Sequence, residues 1–207
     1  MALKYKMSLS FVIATTLLAI KLNAQTFVPI KVTGFNHDLI AEGSGGINRA
    51  AATTTTTFDN VNVGGDNVMY STDFRGNNNQ NSAPPFGLPV NGLINSVNLL
   101  GAKYQLAPYD GSNALVLKAI NSSATLILES PGVFSEIAIL GSSAEMTSSF
   151  SVTLNFSDGS NQIKNFTVPD WFNGSSYAVK GIGRVTRTQI SNQAPDQFSG
   201  KIGRAHV

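Results

Sequence analysis

An all-β fold, specifically an antiparallel β-sandwich, is what the sequence predicts, and three observations lead there. Apolar and polar residues alternate along most of the chain beyond its first two dozen residues. Gly, Asn, Ser, Asp or Pro interrupt that alternation about every ten residues, a spacing typical of sandwiches and barrels. Outside the N-terminal run, no window repeats apolar residues three to four apart, as a helix with one buried face requires.

The chain opens with a basic start, Met1-Ala-Leu-Lys-Tyr-Lys, then an apolar run from Met7 to Ile20, then Leu22-Asn23-Ala24-Gln25. Residues 1–24 are expected to be a secretory signal peptide, with Gln25 beginning the mature chain. The apolar run is short for a bilayer crossing, so no membrane span is expected after cleavage. The sequence has no Cys, which leaves no disulfide framework and no thiolate chemistry.

Val28, Ile30 and Val32 alternate with Pro29, Lys31 and Thr33, and Pro29 marks a strand start or an edge strand. Residues 50–58, AAATTTTTF, form a low-complexity run rich in β-branched side chains and are expected as an edge strand. Residues 72–90, rich in Asn, Gly and Pro, read as a long loop. Further strands are expected over 113–120, 124–130, 133–140, 150–157, 162–168 and 177–189.

Asp158-Gly159 is the strongest hairpin signal, a two-residue loop with positive φ at both central positions. Such a loop sets Leu154 opposite Ile163, but it also sets Val152 opposite Asn165, which does not fit. A bulge near Lys164 or Asn165 restores Val152 with Phe166 and Phe150 with Val168. Phe150, Val152, Leu154, Ile163, Phe166 and Val168 are therefore expected to line the core. Pro169, which cannot donate to a ladder, stops the return strand, and Trp171 and Phe172 follow at the sheet edge.

The ending Ile202-Gly-Arg-Ala-His-Val matches what a common sequencing adapter encodes in one frame. Residues 201–207 are accordingly read as a non-native tail, and 25–200 as a single sandwich domain missing its last strand or strands. This trimming reverses the charge. The whole chain carries a net +2, but residues 25–200 hold nine basic and twelve acidic side chains, a net −3. The basic balance lies in the ends, so no nucleic-acid partner is expected.

Side chains suited to catalysis are scarce. His37 is the lone His before the tail and sits beside Asp38 in FNHDLI, where a surface turn group is the expected role. Asp158 and Asp170 are a carboxylate pair on neighbouring turns, as a glycosidase would need, yet each is accounted for by its own turn. GSGG, residues 43–46, lacks the Lys-Ser/Thr of a phosphate loop. PYDGSN, residues 108–113, offers Asp110, Ser112 and Asn113 to calcium, but one carboxylate is thin for that ion and a plain turn is favoured. No catalytic group, metal ligand set or cofactor is therefore assigned. Trp171, Tyr177 and Tyr109, with Asp170, are the candidate ligand-binding residues, since aromatic faces stack on sugar rings and a carboxylate fixes hydroxyls. The competing role for the only Trp is a core plug.

VPIKVTGFNHDLIAEG, GLPVNGLINS, YQLAPYDGSNALVLKA, SVTLNFSDGS and VPDWF…GIGRVTRT, in that order, resemble a secreted module of Gram-negative bacteria. That module is a galactose-binding-like (discoidin-type jelly-roll) β-sandwich found in surface proteins exported by type IX secretion. The resemblance spans residues 28–188 and implies an extracellular or cell-surface location, more strands after Arg187, and any sorting domain beyond the break at the tail. The expected function is a non-catalytic module of a larger surface protein that binds carbohydrate or another surface polymer. The alternatives are a purely structural spacer or adhesin module, or an accessory domain of a secreted hydrolase.

Overall fold

A computed structural model describes residues 27–59, 65–76, 86–172 and 174–187, together with the backbone of 201–206. The signal peptide expected over 1–24, residues 77–85 of the expected long loop, and residues 188–189 of the last expected strand lie outside the described residues.

The fold is all-β, as predicted. Strand content is 32% against 3% helix, and among the described residues no helix reaches seven residues. In chain order the elements are β1 (Val32–Thr33), β2 (Ile40–Ala41), α1 (Arg49–Thr53), β3 (Asn67–Tyr70), β4 (Leu93–Asn95) and β5 (Lys103–Gln105). Then follow β6 (Ile127–Leu128), β7 (Ala138–Gly141), β8 (Ser148–Asn155), β9 (Asn161–Val168), β10 (Val179–Lys180), β11 (Val185–Thr186) and β12 (Lys201–His206). Antiparallel pairs join β1 to β6, β4 to β5 and β8 to β9; β12 lies between β10 and β7; β3 lies between β11 and β2. Only the β2–β3 pair among these is parallel, with Ile40 opposite Met69. Among the described residues no helix is long and apolar enough to cross a membrane.

The core is organised around β3. Its alternate side chains point to opposite faces, and both faces are buried. Val68 and Tyr70 pack with Ala41, Ala50, Phe74 and Val185. Met69, on the other face, joins Ile40, Leu88, Ile94, Tyr104 and Trp171 in the larger cluster. The β3 sheet is therefore an inner layer, and the Trp171 corner packs against one side of it.

Residues 50–58 depart from the expected edge strand. The first half is α1, because Ala50, Ala51 and Ala52 are the best helix formers and outweigh the β-branched residues behind them. The Thr53 hydroxyl then donates to the Arg49 carbonyl at 2.9 Å and that of Thr54 to the Ala50 carbonyl at 2.6 Å, satisfying carbonyls of the last turn. From Thr54, at φ −126 and ψ 149, the chain is extended. The Thr55 N–H bonds the Asp38 carbonyl, and the Phe58 N–H bonds the Asn67 carbonyl.

The β8–β9 hairpin forms, but with a different loop. Phe156 N–H bonds the Ser160 carbonyl, and Gly159 N–H bonds the Phe156 carbonyl, which closes a three-residue loop with Gly159 at φ +85. The extra residue belongs to the β8 side and sits in the turn, where Gly159 takes positive φ without cost. The register therefore moves the opposite way from the bulge expected near Lys164 or Asn165, and the expected pairs Leu154–Ile163, Val152–Phe166 and Phe150–Val168 do not form. Phe150 consequently faces Phe166, Val152 faces Lys164 and Leu154 faces Gln162, with no bulge along the strands. Phe166 and Val168 are buried and Phe150, Val152 and Leu154 half-buried, while Ile163 points to the other face and is 63% exposed. Ile163 is therefore not a core residue; the one-residue shift turned it outward.

Other strands are shorter than their alternation suggests. Ala114 makes a single bridge to His37 within 113–120, and residues 133–137 form no ladder. Gly181 and Gly183, at φ +73 and +65, split the expected strand over 177–189 into β10 and β11.

Candidate functional site

The corner after β9 is built from Pro169-Asp170-Trp171-Phe172. Pro169 ends the ladder, and the chain then crosses the residues after β7: Ser143 N–H bonds the Pro169 carbonyl, and Trp171 N–H bonds the Ser143 carbonyl, both at 2.9 Å. Asp170 holds the turn with both carboxylate oxygens. Oδ1 accepts the Phe172 N–H at 2.6 Å and Oδ2 accepts the Met146 N–H at 3.0 Å. Gly174 closes the corner by bonding the Asp170 carbonyl, and a Cβ there would run into that same carbonyl and into Pro169.

Trp171 is a core side chain. It is 1% exposed, its ring lies 4.8 Å from that of Phe58, and its Nε1–H donates to Asp59 Oδ1 at 2.6 Å. Asp59 is itself buried, and its other oxygen accepts from Asn67 Nδ2 at 2.6 Å. The indole therefore has one apolar body in the core and a satisfied polar end, as a buried Trp needs. No ring face is left for a sugar.

Tyr109 has the same fate. It is 7% exposed and its hydroxyl donates to the Pro89 carbonyl at 2.7 Å. Burial pushes its phenol far above the ordinary range, and the carboxylates of Asp73 and Glu42 push the same way. Tyr177 is half-buried, with Lys180 Nζ 5.7 Å from its ring centre. Phe172 is partly covered by the Arg184 guanidinium, 3.9 Å above its ring, a cation–π stack. The four expected contact residues are thus not assembled into one platform: Trp171 and Tyr109 lie in the same core cluster, and Asp170 alone lines an open space.

That space is a cleft of about 650 Å³ between the end of the hairpin and the corner. Asp170, Glu145, Thr147, Thr167, Ser175 and Ser176 are among the residues that line it, with Met146 and Pro169 as its larger apolar members. Such a lining can hydrogen-bond a small hydroxylated ligand. Nothing in the stretch Ala144 to Ser149 marks Glu145, Met146 and Thr147 as site residues in the sequence. Met146 is held there at φ +56, a conformation no pattern signals.

The remaining candidates serve the fold. Asn113 donates from Nδ2 to Asp38 Oδ1 at 2.7 Å and accepts the Leu39 N–H at 3.0 Å, so residues 108–113 form a turn pinned to 38–39. Burial raises the Asp38 carboxyl above its ordinary range, partly offset by the bonds from Asn113 and Ile40. His37 Nδ1 lies 3.2 Å from the Thr55 hydroxyl, and burial, helped by Lys118, lowers its pKa. Asp158 accepts from the Ser160 hydroxyl and N–H, which lowers its pKa.

Compared with family models, with curated proteins and with solved structures, the chain finds no match in any of the three.

Proposed function

We propose that the chain is a non-catalytic structural module of a larger secreted or cell-surface protein, a β-sandwich of the galactose-binding-like kind. The observation that carries this reading is the placement of Trp171 and Tyr109. The two aromatic side chains best suited to meet a ligand are spent on packing and on buried hydrogen bonds. The carboxylates point the same way: Asp158 caps its own hairpin, and Asp170 pins the corner to Met146 and Phe172. The N-terminal basic and apolar pattern supports export, and the ordered resemblance described above supports a Gram-negative surface protein carrying further domains.

Carbohydrate binding is the second reading, favoured by the hydroxyl- and carboxylate-lined cleft at Asp170. A polysaccharide affinity gel or glycan array separates the two. The structural reading expects the folded chain to pass unretained. Retention that disappears in Thr147→Trp or Ser175→Trp, with unfolding midpoint unchanged, would establish the glycan reader instead.

A further inference from the structure

β8 is an eight-residue strand that pairs, among the described residues, only with β9. The Phe156 N–H bonds Ser160, so counting back by twos the main-chain groups of Leu154, Val152 and Phe150 face β9. Those of Ser149, Ser151, Thr153 and Asn155 face the free edge. Edges of this length are usually guarded by a charge, a Pro, a bulge or an inward Lys. Ser148–Asn155 has no charged residue, no Pro and no Gly, and its pairing with β9 runs without a bulge. β9 differs, because it carries Lys164 and lies close to β12, although no ladder joins those two strands.

The strand is complementary to itself. In an antiparallel pairing about a two-fold axis at Val152, each Val152 meets its own copy, and Phe150 meets the second copy's Leu154. Ser151 and the second copy's Thr153 then exchange the outward main-chain bonds, and no like charges oppose one another. A two-stranded hairpin is marginal in water, whereas more strands with a shared apolar face are stable. Phe150, Val152 and Leu154, half-buried in one chain, would form part of that shared face.

We propose that β8 docks antiparallel onto β8 of a second copy of this chain, fusing two hairpins into one four-stranded sheet. This goes beyond the structural role above and stands whether or not the cleft binds a ligand. The test is light scattering and sedimentation on the full chain and three variants. The chain is expected to be a dimer. Ser151→Pro removes an outward N–H, and Thr153→Lys places a charge on the edge; each should weaken dimerisation by about tenfold or more at unchanged circular dichroism. The chain has no Cys, so Val152→Cys should oxidise to a single cross-linked dimer, while Ile163→Cys on the other face should not.

A monomeric chain, a dimer unmoved by Thr153→Lys, or equal cross-linking at positions 152 and 163 would overturn the proposal. So would slow amide exchange at Ser151 and Thr153 in a monomer, since another part of the same chain would then cover the edge. Should Ser151→Pro unfold, Thr153→Lys and the cysteine pair still decide.

Discussion

Asp59 and Trp171 are 112 residues apart in the chain and 2.6 Å apart in space, and this pair decides what the corner is for. Replacing Trp171 with Ala leaves a large void and strands a buried carboxylate, so it should cost about 3–5 kcal/mol in urea unfolding. Trp171→Phe keeps much of the packing and should lose about 1–3 kcal/mol, the cost of the unanswered Asp59 oxygen. Asp38 gives a pH-dependent counterpart. Its carboxyl is raised by burial, so the folded state holds the proton more tightly than the unfolded state. The stability this contributes is full below the ordinary carboxylate pKa and is lost as pH rises through the raised value. Asp38→Asn retains an acceptor for Asn113 and Ile40 and cannot ionise. Its stability relative to wild type should therefore climb from about pH 3 to pH 7 in parallel denaturant titrations. Position 171 was legible as important, but the choice between surface platform and core plug was not. That choice rests on a partner that local pattern cannot see.

The hairpin shows which parts of an element are written locally. The strands on either side of Asp158-Gly159 were readable from alternation and turn chemistry. Their register was not, because a two-residue and a three-residue loop both accept Asp-Gly, and the bulge that the two-residue loop demanded does not exist. Gly159 now has positive φ with open space around its Cβ position. Gly159→Ala should therefore destabilise by about 1–2 kcal/mol through backbone strain alone, measured as a shift in urea midpoint at constant slope. Gly174→Ala acts by a different route. There the added methyl meets the Asp170 carbonyl and Pro169, so the corner must open, and amide protection at Trp171 and Met146 should fall together. α1 teaches the reverse lesson. Three alanines formed a helix where the threonine run suggested a strand, since Thr53 and Thr54 close that helix with their hydroxyls rather than extending it.

At the scale of the molecule, the all-β class was legible because period-two alternation survives whatever the strands pair with. The pairings were not legible, because they join distant segments: β2 runs parallel to β3, and β12 lies between β10 and β7. Residues 201–206, within the stretch read above as a non-native tail, supply β12 through their backbone, and ladder bonds do not depend on which side chains a strand carries. Gly203 to His206 pair with Gly141 to Ala138, and Lys201 and Ile202 with Lys180 and Val179. Ending the chain after Gly200 removes the neighbour that both β7 and β10 share. The expected result is a loss of at least about 2 kcal/mol and fast amide exchange over 138–141 and 179–180. Protection in β4–β5 should persist, because that pair does not involve β12. Replacing 201–206 with an unrelated alternating Thr-Val stretch of equal length should restore exchange protection in β7. If it does not, β12 is held by its side chains rather than by its ladder.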